Sequence, residues 1–131
     1  MLTPILAAAL ALQGAPTLKL PVPPQPEAIT LEDLPIEQGA AMRCAVAYAT
    51  LARWQTAQDP RAAGFAEGAG SGEREFFVQV IAKLMDDAQL TRDHVQTLAM
   101  REFAANDTAD GADRIKAMMP ACELMKSAAG L

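Results

Sequence analysis

Cys44 and Cys122 are the two cysteines of the chain, and the chemistry most open to it begins with them. A thiol can attack a substrate as thiolate, hold a soft metal, or join a second thiol. Neither cysteine is flanked on both sides by the Lys, Arg or His that would stabilise a thiolate, which argues against a nucleophile. His94 is the one histidine, so a zinc set of the usual His and Cys kind cannot be assembled around it. His94 reads instead as a surface residue in the first turn of a helix. Two readings of the cysteines carry weight: a disulfide, which is favoured, and two buried free thiols.

Other residues invite chemistry and mostly do not sustain it. The stretch NDTADGADRIKA, 106–117, has Asp110-Gly111 where the fifth and sixth positions of a calcium loop would fall. Its first position is Asn106, its third Thr108 and its twelfth Ala117, so the bidentate Glu is missing. A turn or helix cap is the better reading. Met42, Met85, Met100, Met118, Met119 and Met125 could serve a soft copper site or an adaptable surface. Filling gaps in a helical core poor in large side chains is the simpler role. Motifs for haem attachment, serine hydrolases, zinc proteases and phosphate-cradling loops are absent from the sequence, and the reading is of no catalytic, cofactor or metal residues.

The elements that must position these residues follow from periodicity. At 131 residues one core is expected. Residues of the AVILMFWYC set make up 51% but aromatics only 5%, a balance that favours closely packed helices over sheet. The first helix is predicted over about 36–57, with Cys44 central in an apolar stripe shared with Ala41, Ala47, Tyr48 and Leu51. After the glycine-rich GFAEGAGSGE, a second helix carries Phe77, Val80, Ile81, Leu84 and Ala88 on one side. Glu75 with Gln79 and Lys83 with Asp87 lie on its outer side, and Ser71 is its expected N-cap. Thr91 should cap a third helix, with Asp93 in its first turn and a stripe of Val95, Leu98, Ala99 and Phe103. Glu102 intrudes on that stripe. It is expected to meet an arginine across the bundle or to lie at a frayed end, and a ligand-binding carboxylate is the minor alternative. The last segment, DRIKAMMPACELMKS, gathers Ile115, Met118, Met119, Cys122 and Met125 within about 120° of arc. Pro120 can kink this helix or split it.

The N-terminal third reads as targeting and tether. In MLTPILAAALALQGA, 1–15, the apolar run Ile5 to Leu12 has the length of a signal-peptide core and is too short to span a bilayer. Small residues follow at cleavage-like positions, although no Lys or Arg precedes the run; an apolar first helix of a cytosolic domain is the alternative. The segment 16–35 carries Pro16, Pro21, Pro23, Pro24, Pro26 and Pro35, and should be extended and solvated. Export places the cysteines in an oxidising compartment, where two thiols that meet become a disulfide. The formal charge is −5 and basic residues are scattered singly, which argues against nucleic acid as a partner.

MRCAVAYATLA, EREFFVQVIAKLMDDAQLTRDHV and MMPAC together resemble a group of small exported α-proteobacterial proteins without an assigned function. The likeness spans about residues 38 to 125 and implies an exported helical domain; it supplies no mechanism. LTRDHVQ, locally, is similar to the L-T-x-x-Q signature of all-helical periplasmic stress chaperones, with His94 where their glutamine stands. The expectation is therefore an all-α bundle of about four helices over 36–128, closed by Cys44–Cys122 behind a signal segment and a proline-rich tether. It is expected to be periplasmic or secreted, without enzymatic activity and without a membrane span once mature. Its role would be binding or structural, toward an unknown protein or envelope component. A chaperone-like holdase and an enzyme with a site near Glu102 are the alternatives.

Overall fold

The computed structural model describes Gly14 and residues 29–131, so the signal segment and most of the proline-rich segment lie outside the described residues. Four helices follow in order: α1 Ile36–Thr56, α2 Glu73–Asp87, α3 Arg92–Asn106 and α4 Gly111–Ala128. No strand occurs among the described residues. A short 3-10 turn, Leu31–Asp33, precedes α1, and a second, Pro60–Gly64, follows it.

The alanine-rich α1 is the centre of the bundle. Met42, Ala45, Val46, Ala47, Tyr48, Thr50, Leu51 and Trp54 are all sequestered from solvent, a set that runs around the whole circumference of the helix. A single apolar stripe centred on Cys44 describes only part of this burial. Small side chains let α2, α3 and α4 all approach α1, and each of them packs against it. Of the two buried hydroxyls of α1, that of Thr50 donates to the Val46 carbonyl one turn back at 2.8 Å, while that of Tyr48 has no partner among the described protein groups. At the C-terminus Gln58 adopts φ 53, and the Asp59 amide donates to the Trp54 carbonyl at 2.8 Å. This left-handed turn closes the helix, and Pro60 prevents its continuation.

Successive helices run antiparallel. Tyr48 of α1 meets Phe76 of α2 edge to face with ring centroids 5.8 Å apart, while Glu37 and Ala41 face Val80 and Asp87 further along. The core row of α2 is Phe76, Val80 and Leu84. Of the stripe expected to face inward, Val80 and Leu84 do so, while Phe77, Ile81 and Ala88 are only partly buried, and Phe77 lies 6.5 Å from Phe103 of α3. Because α2 touches both α1 and α3, two neighbouring rows share the packing, and the row turned toward the central helix is the drier one.

Ser71 does not cap α2; Gly72 holds that position at φ 75 with no side-chain cap. The cause is tertiary. Gly70 lies so close to Ala52 of α1 that a Cβ there would come within 2.6 Å of the Ala52 amide nitrogen, and Lys126 of α4 donates to the Ser71 carbonyl. The loop is fixed from both sides, and glycine supplies the left-handed turn that remains. Thr91 caps α3 as expected, its hydroxyl accepting from the His94 amide at 3.2 Å, and His94 Nδ1 accepts in return from the Thr91 amide at 3.2 Å. Glu75–Gln79 and Lys83–Asp87 also pair on the outer side of α2, at 3.3 and 2.6 Å. Pro120 neither ends nor splits α4, which is continuous around it. Both Pro120 and Lys116, whose carbonyl loses its donor, are on the exposed side, where water can take that bond.

Cys44 and Cys122 form a disulfide between α1 and α4, with Cα atoms 5.2 Å apart. Both are buried, at 4% and 0% exposure. Leu31 and Leu34 also enter the core, although the sequence reading places them in the linker.

The bridge joins residues 78 apart, so the chain-entropy model gives it about 4–5 kcal/mol of stability. Replacing both cysteines by alanine should lower urea-unfolding stability by an amount of that order. The native protein should show no alkylatable thiol until it is reduced. A second expectation concerns Gly111, where an added Cβ would overlap the backbone of Asn106. Gly111→Ala should cost about 1–3 kcal/mol in the same assay.

Candidate functional site

The residues singled out for chemistry are mostly engaged in holding the bundle. Glu102 is 6% exposed, and its carboxylate is ion-paired with Arg114 of α4, the arginine across the bundle that the sequence called for. Beside it a depression of about 160 Å³ is lined by Leu31, Glu32, Leu98 and Arg101. One turn on, Asn106 is fully buried, and its side-chain amide has no partner among the described protein groups. Sequence reasoning missed Asn106, though it stands four residues after Glu102 on the same face. Within the stretch 106–117, residues 107–110 form the turn between α3 and α4, and 111–117 are the opening of α4. Among the described residues no group of three or more His, Cys, Asp or Glu is placed to hold a metal ion.

The methionines divide. Met42 and Met119 fill the core, Met118 and Met125 pack against it, and Met85 and Met100 are exposed. Val78, at 57% exposure, and Leu124, at 74%, add to the apolar surface.

Cations and aromatic rings lock two corners. The Arg61 guanidinium lies 4.5 Å from the Trp54 ring and bridges Asp59 at 2.8 Å to Asp107 at 2.9 Å. These hydrogen bonds hold the Asp59 carboxyl down at about 2, against an ordinary 3.8, and push Arg61 up. At the other corner Lys126 Nζ sits 4.9 Å from the Tyr48 ring. Burial, and then the charge of Glu123, raise the Tyr48 hydroxyl above its usual range.

A different feature is open. Between α2 and α4 the face of α1 carrying Glu37 and Ala41 is left uncovered, forming the floor of a groove of about 590 Å³. Phe76 and Val80 form one wall; Met125, Ala128 and Ala129 form the other. Its surface is mainly apolar. Gln79 and Lys83 stand at its rim, and an adjoining hollow of about 210 Å³ carries it along α2 to Leu84 and Asp87. Lys83 is bound to Asp87, and Glu37 makes no ion pair among the described residues. The groove exists because beyond Met125 the chain offers Ala128 and Ala129 there, too short to reach α2. Such a cleft can receive an apolar surface of another molecule; it holds no array of acid, base and nucleophile.

No protein-family model, curated protein or solved structure matches the chain significantly.

The Asp59–Arg61 contact sets a pH expectation. A carboxyl held below its unfolded value stabilises the fold above that value and ceases to do so as it protonates in the folded state. Stability should therefore fall as pH drops from about 4 to about 2, and Asp59→Asn should remove that part of the slope, read from urea midpoints across this range.

Proposed function

We propose that this is a non-enzymatic exported protein of the periplasm or extracellular space that binds a partner, a protein or an envelope component, through the groove between α2 and α4. The observation that carries the reading is the groove itself: a mainly apolar depression of about 590 Å³, larger than the hollows of about 360 Å³ beside Pro60 and about 160 Å³ beside Glu102. A buried disulfide supports an oxidising compartment. No helix among the described residues is long and apolar enough to cross a membrane.

The chaperone-like alternative draws support from Val78, Met85, Met100 and Leu124, whose exposed side chains offer adaptable apolar contacts outside the groove. An enzyme with a site near Glu102 has less in its favour, since the carboxylate is committed to Arg114 and the adjoining depression is small.

Photo-crosslinking in cells tests the binding reading. A crosslinker at Gln79, on the rim, should give discrete adducts that one at Gln96, an exposed position on α3, does not. Identical adducts from both positions would remove the groove as the reason for binding. Residues 1–28 fused to alkaline phosphatase should yield an active enzyme, and an inactive fusion would count against export.

A further inference from the structure

We infer that the groove takes an amphipathic α-helix whose apolar stripe ends in a lysine or arginine placed over Glu37. The inference rests on the binding reading above and names the class of partner.

Shape selects a helix. From Phe76 to Asp87 the α2 wall is about 16 Å long, which matches about three turns of a docked helix. Ala41, Ala128 and Ala129 allow close approach of a backbone, while Phe76, Val80 and Met125 shape the holes that side chains at i, i+3, i+4 and i+7 would fill. An extended strand has no sheet edge to join among the described residues, and a polyproline segment would find one aromatic ring, Phe76, where such grooves use several.

Charge selects the basic end. Glu37 is exposed and lacks an ion-pair partner among the described residues, whereas Lys83 is neutralised by Asp87. The last turn of α4, which carries Lys126, forms the neighbouring wall; the partial negative charge of that helix end and the partial positive charge of the α1 N-terminus offset one another, which leaves the Glu37 carboxylate to set the sign. The local field is therefore negative, and the whole-chain charge of −5 extends it into solution. The same charge repels a second copy of this chain, which makes self-association the poorer occupant.

The probe is a fluorescently labelled amphipathic peptide of leucines with terminal lysines, compared with versions bearing glutamate or glutamine instead. Each is titrated by anisotropy against the disulfide-bonded protein. The lysine peptide should bind about tenfold tighter than the glutamate one, the size expected when a surface attraction to Glu37 is exchanged for a repulsion of like size. Glu37→Lys should reverse the preference. Ala128→Trp, at an exposed position that leaves the core intact, should block every peptide while the thermal midpoint stays unchanged.

Equal affinity for the three peptides, still blocked by Ala128→Trp, would overturn the charge inference and leave the groove reading standing. Lysine-peptide binding indifferent to both substitutions would show attraction to the acidic surface at large and would overturn it too. A dimer in sedimentation that Ala128→Trp dissolves would assign the groove to a second copy. Binding of no peptide would end both the inference and the reading beneath it.

Discussion

Burial of the middle of α1 on all sides is the constraint on which the rest of this structure depends. From Met42 to Trp54 the buried side chains point in every direction about the helix axis, with Arg43, Ala49 and Ala52 partly covered and Arg53 exposed, so three other helices must surround a single one. That arrangement requires small residues, because a helix lined with leucines would hold its neighbours too far apart for all three to reach it. Alanines at 45 and 47, with Gly70 against Ala52, permit the approach. The large groups, Trp54, Tyr48, Met42 and Leu51, then fill the spaces between helices.

A core built from small side chains buries less apolar area per residue, and other interactions make up the difference. The buried disulfide fixes α4 to α1 and lowers the entropy of the unfolded chain. Glu102 and Arg114 hold α3 to α4 inside the bundle. Arg61 closes the end near Trp54, reaching the turn after α1 and the turn after α3 at once. Each of these groups carries chemistry that would suit an active site, yet each is committed to another part of the same chain. What remains uncommitted is an absence of cover, the stretch of α1 that α2 and α4 do not reach. The proposed binding site lies where packing stops short.

Much of the architecture was legible beforehand. Helix number follows from apolar spacing, Thr91 announces the start of α3, and the central place of Cys44 and Cys122 on apolar stripes prepares their pairing. Glu102 was recognisable as a charge needing an arginine because it interrupts an apolar row. Less accessible were Phe76 as the core residue of α2, the displacement of Ser71 by Gly72 as cap, and the burial of Asn106. Periodicity assigns a helix an apolar side to within about one residue position, and α2 offers Phe76 and Phe77 on adjacent rows. The choice between them depends on which neighbour lies closer.

The sequence by itself determined that the chain is helical, roughly where its four helices lie, and that its two cysteines belong on apolar faces. Those are properties of short segments, governed by side chains within a few turns of one another. Tertiary structure alone decided that α1 would be central, that Pro120 would sit on an outer surface where its missing donor is harmless, and that α2 and α4 would leave a groove between them. These outcomes depend on distances between residues remote in the chain, and a gap between helices is set by the volumes of side chains that no local pattern compares.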